Sequence, residues 1–262
     1  MTAGARVAAF GVLLVAIFAL AALAGRAVGP AADDDERAQH GAPAAHGDSL
    51  RLAAGDTTLT PGRPARLDFA VMDAQGDRVR DFDVEQGRRM HLIVVRRDLR
   101  RFAHLHPTEV APGAWTATIT LPDAGVYHAF ADFQTSGERR TLGVDLFAAG
   151  DFEPLALPDA GSTARTDGYD VALREGERAG ELRFAVSRDG APVEDLQDYL
   201  AAKGHLVMLR AGDLAYEHVH PLEDDALAFD AGGAEPGTYR LFLQFRHRDA
   251  VHTAAFTREV AP

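Results

Sequence analysis

The sequence predicts an all-β protein, two tandem immunoglobulin-like β-sandwich domains after an N-terminal hydrophobic helix. Three observations carry that reading. Residues 91–107 recur without a gap as residues 205–221, with His, Leu, Arg, His, His and Pro on the same six positions. A repeat at so long an offset marks two copies of a domain rather than a solenoid. Short segments rich in β-branched and aromatic residues follow one another at regular spacing between Gly, Pro and Asp turns, with almost no helical periodicity, which is the sandwich pattern. Finally, Gly125-Val-Tyr127 and Gly237-Thr-Tyr239 each place a tyrosine just after a turn. In immunoglobulin-like sandwiches a tyrosine there ties down a corner, so both are read as structural.

Taken in order, the chain starts with its address. After Arg6, residues 7–25 form an uncharged apolar run. Residues 1–28 therefore read as a signal peptide or an uncleaved signal anchor. Ala22-Leu-Ala24 offers small residues for cleavage, while the length of the run suits a span. Either way the acidic residues 33–36 lie outside, and the globular part is exported, secreted or anchored to the cell membrane. Residues 29–48 cannot bury a core and read as a disordered linker. The formal net charge of −12 disfavours a nucleic-acid partner, because phosphate neutralisation needs a basic face. The absence of cysteine from the sequence excludes disulfides, thiolate metal sites and cysteine nucleophiles.

The first sandwich is expected over 49–149. Segments 50–52 and 57–59 are short strand candidates, and 64–71 alternates with the period of a half-buried strand. Residues 73–77 form a turn. Strands follow at 90–96, 102–106 and 115–120, then a turn at 122–125, then strands at 126–133 and 141–147. Residues 150–166, with Pro154, Pro158 and Gly161, read as a linker. The second sandwich, 167–262, repeats the plan with strands at 169–173, 181–187, 205–210, 215–220, 226–230, 238–245 and 253–260. Residues 193–202 are expected to include one helical turn.

The histidines of the repeat carry the chemistry. Each repeated stretch reads as a β-hairpin, with Gly212-Asp213 as a two-residue turn in the second copy and Asp98-Leu99 in the equivalent place in the first. A loop so centred puts His91 opposite His106 with His104 on the diagonal, and His205 opposite His220 with His218 on the diagonal. Side chains alternate faces, so each triad shares one face. Opposed Cβ atoms about 4.5–5.5 Å apart and diagonals about 7–8 Å apart allow three imidazoles to reach one ion. His91, His104 and His106, and His205, His218 and His220, are thus the candidate metal ligands, one triad per domain. Neutral imidazoles without sulfur suit copper(II), with zinc as the alternative. Parity turns Met90 and Met208 away from this face. His128 and Asp132 share a face of a late strand but are replaced by Arg240 and Gln244 in the second copy, so a fourth ligand from there is not common to both.

The alternative is a buried polar cluster. Val207, Leu209 and Tyr216 share the histidine face of the second copy, and Ile93, Val95 and Phe102 that of the first. The triads therefore point with the core face, where imidazoles can satisfy one another as donor and acceptor. The protein would then be a structural or interaction module docking to a membrane or envelope partner. No nucleophile elbow, phosphate loop or zincin helix is present in the sequence, so no enzyme is expected. A metal-dependent activity would rest on the triads alone.

The pattern His-Leu-Ile-Val-Val-x-x-Asp-Leu…His-Leu-His-Pro over 91–107, with Gly125-Val-Tyr-x-x-Phe-Ala-Asp-Phe133, resembles a family of exported bacterial proteins described as hypothetical or heavy-metal-associated. The second copy resembles the second half of the same family. The outline is also similar to periplasmic copper-handling β-sandwich modules, in fold and histidine content. The resemblance covers roughly 60–260. It implies a double immunoglobulin-like domain and an association with metal homeostasis.

Overall fold

The computed structural model describes residues 50–217, 219–222 and 227–261. The expected N-terminal helix, the linker 29–48 and His218 lie outside the described residues. Among those described, no helix is long and apolar enough to cross a membrane.

The first copy folds as two sheets. One runs in the order β1 (Arg51–Ala54), β3 (Pro64–Met72), β7 (Ala114–Thr120), β6 (Thr108–Ala111). The other runs β2 (Thr58–Leu59), β9 (Glu138–Ala148), β8 (Gly125–Thr135), β4 (His91–Arg96), β5 (Phe102–Leu105). The β2–β9 pair is parallel and the other pairs of this copy are antiparallel. In chain order this is the immunoglobulin arrangement, first, second, fifth and fourth strands against third, sixth and seventh, with an extra edge strand beside the third. Alternation along β3 sends Leu67, Phe69 and Val71 inward and leaves Arg66 and Asp68 exposed. They meet Trp115 and Ile119 from their own sheet and Leu92, Val94, Tyr127 and Leu146 from the other.

The second copy repeats the plan. Its first sheet runs β10 (Thr163–Thr166), β11 (Tyr169–Glu175), β12 (Glu181–Arg188), β17 (Ala228–Asp230), β16 (His220–Pro221), with β13 (Ala191–Pro192) also paired to β12. Its second sheet runs β15 (Tyr216–Glu217), β14 (Gly204–Arg210), β18 (Gly237–His247), β19 (Ala250–Val260). Both tyrosine corners form. Tyr127 OH donates to Asp123 O at 3.0 Å and Tyr239 OH donates to Glu235 O at 2.9 Å.

Local expectations are corrected at three places. Thr163–Thr166, assigned to the linker, is β10 and pairs with β11. Residues 193–202 make no helical turn. Gln197 N donates to Arg246 O at 2.9 Å, and Leu200 and Ala201 sit in the left-handed region. A segment this short does not nucleate a helix, and pairing with β18 satisfies its backbone instead. The hairpin loops hold four residues rather than two, closed by Arg96 N to Arg101 O and Arg210 N to Ala215 O, each 3.0 Å. Their centres are unchanged, so the register is as expected.

The largest correction concerns layers. The core face of β4 is Met90-side, with Leu92 and Val94, and that of β14 is Leu206 and Met208. The histidine face is the outer face. It is buried because the two copies, parts of one compact unit, stack outer face on outer face. Ile93, Val95, Leu99 and Phe130 pack there with Val207, Leu209, Leu214 and Phe242 in a third apolar cluster. Phe102 stacks on Phe242 with centroids 4.1 Å apart. The segment between the copies is pinned beside this layer, with Leu155 N donating to Asp98 Oδ2 at 3.0 Å.

Candidate metal centre

The register of the first hairpin is the one its loop predicts. Leu92 pairs with Leu105 and Ile93 with His104, which brings His91 and His106 opposite each other at the end of the ladder. Their rings gather, with centroids 5.2 Å apart for His91 and His104, 5.3 Å for His91 and His106, and 4.9 Å for His104 and His106.

In the second copy His218 lies outside the described residues, so that triad is seen only through His205 and His220. Met208 pairs with Glu217 and Leu209 with Tyr216, as predicted. The chain then crosses to the other sheet, where His220 is an exposed residue of β16 opposite Asp230 of β17. His220 is therefore not paired across the hairpin with His205. Instead His205, on β14, reaches across the layer between the copies to the first triad. Its ring lies 4.6 Å from that of His104 and 5.9 Å from that of His91, nearly parallel to the latter. One ring nitrogen each of His91, His104 and His205 lie within 4.8 Å of one another. Among the described residues, the cluster so formed is built by both copies.

Two further groups hold the cluster, and neither was singled out from the sequence. Gln244 on β18, opposite His205, accepts a hydrogen bond from His104 Nδ1 at 2.7 Å. Its amide nitrogen donates to Thr253 Oγ1, 3.3 Å away, which fixes the oxygen toward His104. The backbone oxygen of Glu85 lies 3.3 Å from His91 Nε2. Between these ends His91 Nδ1 and His104 Nε2 face each other at 3.0 Å. Gln244 was legible only as the counterpart of Asp132. A backbone oxygen from a distant loop has no sequence signal.

Burial governs the protonation of these rings. It pushes His104 down to about 3, with His91 and His106 adding repulsion against Gln244's opposing bond. It pushes His106 down to about 4, His91 and Arg88 adding to the effect. His91 is lowered by burial against the pull of Asp132. His205 is held well below the usual range by burial, by the other three histidines and by Arg139. All four are neutral at pH 7.

Proton counting then exposes a deficit. A neutral imidazole carries one N–H and one lone pair. His104 spends its N–H on Gln244, so its Nε2 is a lone pair. If His91 carries its proton on Nδ1 it donates to His104, and its Nε2 lone pair confronts the Glu85 carbonyl. If the proton is on Nε2 it serves Glu85, and two lone pairs meet at 3.0 Å. Neither tautomer satisfies all three contacts. Among the described residues, His205 Nδ1 and His106 Nε2 are in addition buried with no hydrogen-bond partner. A cation between the inner nitrogens removes the conflict, leaving each outer N–H to donate to an oxygen, the arrangement usual for metal-ligating histidines. Metal–nitrogen arms of about 2.0–2.1 Å put ligand nitrogens about 3.0–3.4 Å apart, and the His91–His104 spacing falls in that range.

Three further histidines among the described residues are used elsewhere. His128 Nδ1 lies 2.6 Å from Asp145 Oδ1 rather than turning to the cluster, and Asp132 accepts from Thr141 Oγ1 at 3.0 Å. His247 lies between the Tyr169 hydroxyl, 2.7 Å away, and Asp195, 3.1 Å away, while His252 pairs with Asp167 at 2.8 Å.

The chain belongs to the family described as Domain of unknown function (DUF8832), which matches residues 44–150 and 164–262. No protein with a curated description matches it. Among solved structures it is similar to the Escherichia coli adhesin FdeC, at 15% identity and a TM-score of 0.28, over 83% of this chain and 66% of that one. It is similar to titin A168–A169 at 11% identity and a TM-score of 0.24, over 82% and 99%. A membrane-anchored protein from Corynebacterium diphtheriae gives 9% identity and a TM-score of 0.25, over 82% and 59%. The chain thus spans slightly under two thirds of the adhesin, and likeness at this level carries no argument about function.

Proposed function

We propose that the protein binds one divalent transition-metal ion, copper first and zinc as the alternative, in the histidine cluster between its two sandwiches. In this reading it buffers or delivers that ion outside the cytoplasm and transforms no substrate. The location rests on the apolar run 7–25 of the sequence. The observation that carries the reading is the pair of inner nitrogens, His91 Nδ1 and His104 Nε2, 3.0 Å apart with oxygens at both outer ends. All-nitrogen donors favour copper(II) or zinc over calcium or magnesium, and the lack of sulfur disfavours copper(I). Because the rings are already neutral, binding displaces no proton from them.

The second reading has its own observation. The His104–Gln244 bond joins one copy to the other, so the cluster also serves as a polar lock in an interaction module docking to an envelope partner. Calorimetric titration of metal-free full chain with Cu²⁺ and with Zn²⁺ separates the two. The metal reading expects one ion per chain, with binding abolished in His104→Ala combined with His205→Ala. Affinity no better than that of a surface histidine, together with a stability loss in that variant that metal does not alter in wild type, carries the lock reading instead.

A further inference from the structure

The cluster has an inner and an outer part. His91, His104 and His205 place their nitrogens in one tight group, and His91 and His205 are 5% and 9% exposed. His106 stands outside that group. It is half-buried, it touches the rings of His91 and His104, and its Nε2 is buried with no partner among the described residues. Its place in the chain explains this. His106 lies between β5 and β6, where the chain leaves one sheet for the other, and Pro107 restricts the backbone that follows.

Beyond His106 the surface opens. A cleft of about 320 Å³ is lined by His106 with Leu105, Thr108, Val110 and Thr116. A second approach, beside His91, is narrow. There the gap bounded by Glu85, Arg88, His91, Asp132 and Arg139 is about 10 Å³, at the threshold for a single water. Arg139 and Glu85 form an ion pair at this gap.

We infer that His106 is the exchange ligand of the site, the group through which the ion enters from the cleft and leaves to an acceptor. This rests on the metal reading above and deepens it from buffering toward delivery. In the exchange the bond from the ion to His106 breaks and the ring turns into the cleft. A donor atom of the acceptor, an imidazole nitrogen, carboxylate oxygen or thiolate sulfur, takes the vacated position while the inner three histidines still hold the ion. The ion keeps its charge and no electron moves.

The test is the rate at which Cu²⁺-loaded full chain gives up its ion to excess EDTA, followed by stopped-flow absorbance. Three variants are compared with wild type. His106→Ala opens the route, and release is expected to accelerate about tenfold or more, while one ion per chain is still bound. His106→Phe plugs the route without supplying a ligand, and both uptake and release are expected to slow about tenfold or more. Arg139→Ala, which frees Glu85 on the narrow side, is expected to leave both rates within about twofold of wild type. Unchanged rates in both His106 variants overturn the inference while leaving the site intact, and so does acceleration confined to Arg139→Ala. Failure of wild type to bind Cu²⁺ overturns the site and the route together.

Discussion

A neutral imidazole has two nitrogens and one proton, and in the cluster that count is decisive. Water would supply the missing proton or lone pair at an exposed site. His91 instead lies buried between two stacked sheets, with His104 and the Glu85 carbonyl at its two ring nitrogens. Gln244 is then more than a spacer, because its oxygen forces the His104 proton onto Nδ1 and aims the Nε2 lone pair inward. Replacing Gln244 with Leu keeps the size and removes the acceptor. Cu²⁺ affinity measured by titration is expected to fall about 10–100-fold, with one ion per chain still bound at high metal. Unaltered affinity in Gln244→Leu would mean that the tautomer of His104 is set by something else.

At the scale of elements, the two copies show how one local sequence reaches two outcomes. Both hairpins keep their register, and both place a leucine with positive φ, Leu99 and Leu214, in the loop facing the shared apolar layer. They differ in where the chain after the second strand goes. β5 continues to Leu105 and delivers His104 and His106, whereas in the second copy His220 and Pro221 form β16 in the opposite sheet. The tyrosine corners are the common anchors, since each fixes the turn that starts the strand beside the histidine hairpin. Tyr127→Phe and Tyr239→Phe each leave a backbone carbonyl short of a donor. Urea unfolding is expected to show each variant less stable by about 1–2 kcal/mol. A loss in only one of them would show that the two corners are not equivalent supports.

For the whole molecule, the stacked outer faces make the histidines part of the stability. The four rings have folded pKa values below the unfolded value near 6.5. Above that pH the folded and unfolded chains both leave them neutral, and their contribution is fully present. As pH falls through 6.5 toward 4 and 3, the unfolded chain takes up protons that the folded chain refuses, so stability is lost. The slope reaches about 1.4 kcal/mol per pH unit for each ring so held. Thermal unfolding of metal-free protein is therefore expected to show a steep fall in Tm between pH 7 and pH 5, flattened in His104→Ala. Saturating Cu²⁺ at pH 7 is expected to raise Tm, by about 2.7 kcal/mol of stability at a hundred times Kd. A flat profile between pH 7 and pH 5 would show that the rings protonate in the folded state.

The sequence by itself determined the all-β class, the two copies, the strand order within each hairpin and the face shared by His91, His104 and His106. These follow from period-two alternation and from a loop centre, both of which are local. It also held an unused sign of the layer between the copies. Residues 92–95 and 206–209 are unbroken apolar runs, the mark of a strand buried on both faces rather than one. Only the tertiary structure decided that His205 joins the first triad while His220 goes to another sheet, and that Gln244 and the Glu85 carbonyl close the cluster. Those contacts join residues far apart in the chain, and their existence depends on how two finished sandwiches stack. Nothing in the local backbone pattern specifies that stacking, because it is set by the complementary outer faces and becomes defined only once both sheets have formed.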